Sequence, residues 1–264
     1  MSTTNAAHAP EDPEEPHIRL STPADFDELA DVALRAFIED PVMNYFGSVK
    51  KMLEIDVDVK ASAARRQFYV FLLKACFFIG GRITILVDRP AGSTKERLLA
   101  GALWLPPHKR LAAWMIPTMV KSGVISVLKG WGLTGFVRIV FHYQESVEHT
   151  MHKIFESKGA KTSPDNSWYL QLAFTDPPHH GKGFMSLLVR EAFAHSPKDT
   201  YTLEATTAKS RDQYAHLGFE NATTIPLGKG KVDNRGVSVS GNMATGIECW
   251  AMVKVCSHFG CMPR

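Results

Sequence analysis

The amino-acid sequence predicts an α/β (α+β) protein with one sizeable core, and three observations support this. Trp168 to Phe219 runs as an apolar strand, a glycine loop, an amphipathic helix, a second strand and a second helix. Arg82 to Asp88 and Leu98 to Leu105 are strand-like runs around a turn-rich segment, which is typical of an antiparallel pair. The 264 residues, 45% hydrophobic and 22% charged, suffice for one domain with elaborations.

The beginning of the chain predicts a tail followed by a strand and a helix. Residues 1–16 are small, acidic and proline-bearing, a composition that cannot bury enough surface to become ordered, so we expect a disordered tail. His17 to Leu20 alternates as a first strand. Thr22 to Asp25 then has the N-cap, the proline and the acidic residue that start a helix. A single domain over residues 17–264 is therefore predicted.

The next segments predict a bend, a long helix and the antiparallel pair. Ala36 to Phe46 contains Pro41, which should end the first helix in a bend with acidic, polar and aromatic groups. Met52 to Phe78 has the apolar spacing of a second helix. The antiparallel pair should form the second and third strands, which Pro106 and Pro107 end.

Residues 108–157 are predicted to be a helical insertion. Leu111 to Val140 is apolar enough to raise the question of a membrane span, but Lys121, Lys129 and Arg138 interrupt it, as do a proline and several glycines. We expect two or three short helices that form a lid or a dimer surface, with no membrane partner. The oligomeric state is left open between monomer and homodimer.

Two groups of residues are of metal-ligand type, and each has a simpler interpretation. One group shares a helical stripe, which fits a metal site or a solvated polar face. Its members are His142, Glu145, His149 and His152. The other group is a pair of thiols near the chain end, Cys256 and Cys261, which would need further ligands. We expect no metal.

The charge and the cysteines narrow the class of protein. The net charge of +3 and the pI near 8.6 are too mild for a dedicated nucleic-acid binder, so no nucleic-acid partner is expected. The four cysteines have no metal-ligand spacing, and no cleavable hydrophobic leader is recognised. A cytoplasmic protein with reduced thiols is therefore expected.

The loop from Asp176 to Met185 predicts an anion site. It follows a strand-like run and opens a helix, so its backbone N–H groups lack intrahelical partners and meet the positive end of the helix dipole. Gly181 and Gly183 would let a phosphate come close. A plain glycine turn gives the same local pattern. The Walker and dinucleotide-binding patterns are absent.

Two motifs around this loop resemble signatures of the GNAT family of N-acetyltransferases. The first, His180-Gly181-Lys182-Gly183-Phe184-Met185, is similar to the family's Arg/Gln-x-x-Gly-x-Gly/Ala, with His180 in place of Arg or Gln and Met185 in place of a small residue. The second, Tyr214-x-x-Leu217-Gly218-Phe219, is similar to the family's Tyr-x-x-Leu-Gly-Phe. Together they cover about a fifth of the chain. The apolar residues before the loop and Leu203-Glu204 resemble puromycin N-acetyltransferase and fungal members most.

The resemblance implies a fold and a reaction. The fold is a mixed, mostly antiparallel sheet with a V-shaped splay, flanked by helices. The reaction transfers an acetyl group from acetyl-CoA, as cosubstrate, to an amine by direct attack, without a metal. The implied cofactor-binding residues are the end of the strand and the loop, with a later serine. They are Phe174, Thr175, His180, Gly181, Lys182, Gly183, Phe184, Met185 and Ser210.

The resemblance also implies catalytic and substrate-binding residues. Tyr214 takes the position of the general acid that protonates the leaving thiolate. The bend takes the position that walls the acceptor pocket, so Asp40 and Tyr45 are candidates to receive a cationic amine, although a capped loop with exposed acids fits equally. An ammonium substrate must lose a proton before attack, and Glu204, which with Gln171 flanks the splay, is the candidate base. A structural ion pair is its alternative role.

Three functions remain open. We expect an N-acetyltransferase of small-molecule amines, because a bulky apolar insertion over the pocket favours a small molecule over an extended peptide. The alternatives are an acetyltransferase of a protein or peptide amine, and a non-catalytic acyl-CoA-binding module.

Overall fold

The computed structural model describes residues 14–112, 114–157 and 163–255. Within them the chain forms one sheet with the strand order β1-β2-β3-β4-β5-β7-β6. The strands are β1 (Glu14–Leu20), β2 (Arg82–Arg89), β3 (Arg97–Leu105), β4 (Trp168–Thr175), β5 (Tyr201–Ala205), β6 (Glu220–Leu227) and β7 (Ile247–Lys254). The predicted second and third strands are confirmed as an antiparallel pair.

The sheet is antiparallel except at its centre, where β4 and β5 run parallel. Pairing between these two strands stops at Leu170 and Leu203, although β4 continues to Thr175 and β5 to Ala205. Beyond Leu170, β4 is paired only with β3. The strands therefore separate into an open V, and this confirms the predicted mixed sheet with a splay.

Helices cover both faces of the sheet. They are α1 (Phe26–Ala36), α2 (Pro41–Phe46), α3 (Val59–Phe78), α4 (Ile116–Ser122), α5 (Val124–Val137), α6 (Glu145–Ser157), α7 (Phe184–His195) and α8 (Ala208–His216). Residues of α1, α2, α3, α5 and α6 share one hydrophobic core, and those of α7 and α8 share another with the opposite sheet face. Leu29 of α1 and Phe71 of α3 are buried in the first of these cores.

Three predicted boundaries near the amino end differ from the structure. The first strand begins at Glu14, so residues 14–16 of the predicted tail belong to β1, where Glu14 pairs with Arg89 of β2, and residues 1–13 lie outside the described part. The predicted bend is the short helix α2, because Asp40 caps it and Pro41 occupies its first turn. The long helix begins at Val59 rather than Met52, since turns precede it.

The insertion consists of α4, α5 and α6, as predicted, with a π-helical segment at Arg138–Gln144 between α5 and α6. Helix α5 packs closely on α3, where Gly130 lies against Ala64 and a methyl group at Gly130 would clash. Trp131 contacts Phe68 with 4.7 Å between ring centroids. Trp114, in contrast, is 79% exposed and anchors nothing in the core.

Candidate active site

A cavity of about 400 Å³ lies between the splayed strands and the insertion. Most of its lining is apolar, from α2, α3, α4, β4, the π-helical segment and α6. Polar side chains from the splay and α8 also reach it, among them Gln171, Glu204 and Tyr214. Four of the predicted site residues, Gln171, Glu204, Ser210 and Tyr214, therefore meet at one cavity.

Glu204 contributes a hydrogen-bonded carboxyl group to the lining of this cavity. Its Oε2 accepts hydrogen bonds from the hydroxyls of Tyr169, at 2.5 Å, and Tyr143, at 3.2 Å. Burial raises the pKa of Glu204 to about 7, against the opposing effect of the two tyrosine hydrogen bonds and nearby Arg110. A carboxyl group that changes protonation near neutral pH has the property required of a general base.

Two buried acceptor atoms of the cavity residues have no hydrogen-bond partner among the described residues. They are Oε1 of Glu204 and Oε1 of Gln171. Buried acceptors are normally paired, because an unpaired one costs about 1 to 3 kcal/mol. Both side chains line the cavity, so a ligand that donates hydrogen bonds would satisfy them. A protonated amine is such a donor.

Tyr214 reaches the same cavity from α8. Its hydroxyl makes no hydrogen bond to any described residue, and burial raises the pKa of the phenol above its ordinary value. The helix that carries it ends as predicted, with Gly218 in the left-handed region at φ 88° and Phe219 packed into the core. The Tyr214 phenol is therefore protonated and free to donate.

The loop after β4 presents a row of unpaired backbone amides. Among the described residues, none accepts a hydrogen bond from the six N–H groups of residues 181–186, which end in the first turn of α7. Gly181 and Gly183 have φ values of 81° and 77°, and their α-carbons face open space. Glycine is required for this conformation, and the helix dipole adds to the attraction for an anion.

The side chains of the loop hold its shape. Arg35 donates two hydrogen bonds, at 2.9 and 2.8 Å, to the carboxylate of Asp176. The His180 Nε2 lies 2.9 Å from the carbonyl oxygen of Thr175, so the histidine in the unusual motif position ties the loop to the strand. Lys182 lies 3.2 Å from His179 and is exposed.

The remaining predicted cofactor residues take different positions. Phe174 is buried in the core and pairs with β3, so only its backbone faces the splay. Phe184 and Met185 pack partly against the core under α7. Ser210 lines the cavity, but its hydroxyl donates to the carbonyl oxygen of Thr207 in a capping box.

Asp40 and Tyr45 are not brought to the cavity. The Asp40 carboxylate accepts from the Met43 amide, which caps α2, and from the Thr206 hydroxyl. Tyr45 is 1% exposed and lies under the Arg138 guanidinium, on the far side of α2 from the cavity lining. Asp40 therefore has the contacts of a helix cap, because an Asp-Pro pair commonly starts a helix. Tyr45 has the contacts of a core residue.

Sequence reasoning missed the residues that hold Glu204. Tyr169 precedes Gln171 by two positions on β4, but the register with β3 shifts at Gln171, so alternation along the strand does not predict that both reach the cavity. Tyr143 belongs to the π-helical segment, whose extra residue per turn changes the face expected from α-helical spacing. Arg110 donates to the carbonyl oxygen of Ser167 at 2.8 Å, which fixes the insertion to the start of β4.

The predicted polar stripe of the insertion is solvated. All four of its members are exposed, and the opposite face of α6 is buried. Within the described ranges no group of three or more His, Cys, Asp or Glu side chains could hold a metal ion. Cys256 and Cys261 lie outside the described residues.

Comparisons with known proteins identify the fold. Neither protein-family models nor curated proteins match the sequence. Solved structures do match over nearly the whole chain. A Corynebacterium glutamicum protein named histone acetyltransferase HPA2 and related acetyltransferase has a TM-score of 0.53 and 20% identity, over 94% of this chain and 98% of that one.

Two insect enzymes are similar at lower identity. Arylalkylamine N-acetyltransferase 2 from Aedes aegypti has a TM-score of 0.51 and 12% identity, over 92% of this chain and 99% of that one. The Drosophila melanogaster polyamine N-acetyltransferase, which forms N-acetylagmatine, has a TM-score of 0.51 and 12% identity, over 90% and 99%. This chain therefore has the fold of the GNAT N-acetyltransferases, as predicted from the two motifs.

Proposed function

We propose that this chain is an acetyl-CoA-dependent N-acetyltransferase that acetylates the amine of a small, largely apolar molecule. One observation carries the proposal. Glu204, Gln171 and Tyr214 open on a single cavity at the splay, and the strand that borders this cavity leads directly into a row of unpaired amides. Glu204 as the base, Gln171 as a hydrogen-bond acceptor for the amine, and Tyr214 as the acid thus lie along one path with an anion site. Acyl transfer from a phosphate-bearing thioester requires these four components.

The residues present fit acetyl-CoA. The six free amides of residues 181–186 at the start of α7 would bind the pyrophosphate, with His180 and Arg35 keeping the loop in place. The unpaired edge of β4 beyond Leu170 would accept the pantetheine arm by main-chain hydrogen bonds. Acetyl-CoA supplies an acetyl group activated as a thioester. This arrangement directs the thioester toward the cavity end of the splay.

Glu204 and Tyr214 would perform the two proton transfers. Glu204 takes a proton from the ammonium group, and the neutral nitrogen then attacks the thioester carbonyl carbon. As the new C–N bond forms and the C–S bond breaks, Tyr214 donates its proton to the departing sulfur. The nitrogen then loses its second proton, which restores the Tyr214 phenol, and Glu204 releases the first proton to solvent, so the products are an N-acetyl amine and a free thiol. Burial keeps the phenol protonated until this step, because it raises the pKa of Tyr214.

The lining favours an amine with an apolar substituent. Phe46, Phe68, Met119 and Ile139 belong to the wall around the two unpaired acceptors, so an apolar group gains by burial while its amine donates hydrogen bonds. The names of the similar arylalkylamine and polyamine N-acetyltransferases describe enzymes that act on small amines. The insertion roofs the cavity, which disfavours an extended peptide. Closeness to puromycin N-acetyltransferase stays a prediction from the sequence.

The test is release of free thiol from acetyl-CoA in the presence of a panel of arylalkylamines, alkylamines, polyamines and a lysine peptide. We expect thiol release that depends on an amine and is fastest with an apolar substituent. Binding of acetyl-CoA without turnover on any amine would identify a non-catalytic module instead. Preference for the lysine peptide would identify a protein acetyltransferase.

A further inference from the structure

One long apolar helical run of the insertion has few fully buried residues. Val124–Ser157 is long and apolar enough to cross a membrane by length and composition, with a mean hydropathy of 1.5 in its most apolar window and 11% of that window buried. Gly132 has φ 65° and ψ −173°, so the run is kinked and cannot form one straight span. Its inner side meanwhile packs on α3 and lines the cavity.

The outer surface of residues 114–141, here named the apolar arm, exposes a series of large apolar side chains. Trp114, Leu133 and Phe141 are 79%, 76% and 58% exposed. Ile116, Val120 and Ile125 are also exposed. Lys121 lies over the ring of Phe78, so the exposed end of α3 adjoins the apolar arm. Apolar exposure concentrated in this way marks an interaction surface.

The charge of this region is of one sign. Residues 97–144 contain six Lys or Arg and no Asp or Glu, whereas the rest of the chain contains 24 Lys or Arg and 27 Asp or Glu. Arg110 and Arg138 donate to carbonyl oxygens inside the fold. Lys121 and Lys129 are exposed on the arm. The surface therefore combines apolar and aromatic groups with unneutralised positive charge.

We propose that the apolar arm docks on an anionic phospholipid surface, with its helices in the plane of the interface. Aromatic and aliphatic side chains would enter the boundary between headgroups and acyl chains, and the two lysines would meet anionic headgroups. This departs from the expectation of no membrane partner, which rested on the lack of a transmembrane span. An interfacial helix needs no span.

A second copy of the chain fits this surface less well. A two-fold dimer would face the arm with itself, and both facing surfaces would carry the positive charges of Lys121 and Lys129. No acidic residue lies between residues 97 and 144 to neutralise them. An anionic lipid surface supplies the opposite charge, and this decides between the two occupants.

The test is sedimentation of the full chain with vesicles of phosphatidylcholine alone and of phosphatidylcholine with 30% phosphatidylserine. We expect binding to the anionic vesicles that weakens as salt is raised. The double variant Trp114→Ser/Leu133→Ser should reduce that binding at least tenfold. Each of Lys121→Gln and Lys129→Gln should reduce it by about fivefold. The control Val57→Ser/Met243→Ser removes apolar groups that are 66% and 69% exposed outside the arm and should bind as the wild type does.

Thiol release from acetyl-CoA separates this proposal from the proposed function, because neither Trp114 nor Leu133 lines the cavity. The double variant should keep its turnover in solution. Lack of wild-type binding to either vesicle, or binding that the double variant retains, would overturn the membrane assignment. Dimerisation in analytical ultracentrifugation that the double variant abolishes, without vesicle binding, would assign the arm to a second copy and also overturn it.

Discussion

The Tyr169 hydroxyl donates a hydrogen bond of 2.5 Å to Glu204 Oε2 across strands β4 and β5, next to the point where their pairing ends. Tyr143 donates a second hydrogen bond to the same oxygen from the insertion. The carboxylate is thus held by the sheet and by the roof of the cavity together. Its other oxygen stays unpaired. One oxygen orients the group, and the other is available to an amine.

The pH dependence of turnover follows from this environment. The pKa of Glu204 is raised to about 7 by burial, and a base must be deprotonated to act, so kcat/KM should rise with pH and level off above about 7. Glu204→Gln should lower kcat/KM about 100-fold and remove the inflection near pH 7. Glu148→Gln, at another carboxyl group of the cavity lining, is the matched control and should retain the inflection. An inflection that survives Glu204→Gln would assign the base elsewhere.

The same raised pKa predicts a pH dependence of stability. The folded state binds the Glu204 proton more tightly than the unfolded state, whose pKa is near 4.5, so this group favours folding most at low pH. That contribution is lost as the pH rises from about 4.5 through about 7. The melting temperature of Glu204→Gln, relative to the wild type, should therefore be higher at pH 8 than at pH 5. A difference that is equal at both pH values would contradict the raised pKa.

Gln171 is expected to bind the amine rather than the coenzyme. Gln171→Met keeps the size of the side chain and removes the unpaired acceptor, so KM for the amine should rise about tenfold while the dissociation constant of acetyl-CoA stays the same. Gln144 also lines the cavity, but its side chain donates to the Leu111 carbonyl oxygen. An unchanged KM for the amine in Gln171→Met would remove Gln171 from the acceptor site.

The loop amides should carry most of the coenzyme affinity. Gly183→Asp places a negative charge at the anion site in a left-handed position, so the dissociation constant of acetyl-CoA should rise more than tenfold in calorimetric titrations. Gly230 is the matched control position, because it also has a left-handed φ, of 76°, and open space around its α-carbon. Gly230→Asp should cost similar backbone strain and leave the affinity unchanged. Equal affinities of both variants would show that the loop does not bind the phosphates.

Much of the fold could be predicted from the sequence because its signals are local. The glycine loop, the spacing of α7 and the Gly218 helix end depend on neighbours within a few residues, and all three are present. The start of α2 was missed because Pro41 was interpreted as a break, although proline after Asp40 equally begins a helix. This proline signal was local, but it fits the end of one helix as well as the start of the next.

The candidate site was predictable only in part, because some of its contacts join residues that are far apart in the sequence. Tyr214, Glu204 and Gln171 were predicted from motif and strand position, and all three line the cavity. Tyr143, a hydrogen-bond partner of Glu204, lies 61 positions away in the sequence and belongs to a π-helical turn. No pattern in the sequence predicts that turn. The contact of Asp40 with Thr206, 166 positions away, likewise has no local signal in the sequence.

The most direct test of the account is the rate of thiol release at saturating acetyl-CoA and amine for the wild type and Tyr214→Phe. Tyr69→Phe is the matched control, because Tyr69 is also buried and does not line the cavity. We predict amine-dependent release by the wild type and by Tyr69→Phe, and a rate about 100-fold lower for Tyr214→Phe with unchanged acetyl-CoA affinity. Equal rates for Tyr214→Phe and the wild type, or no amine-dependent release at all, would contradict it.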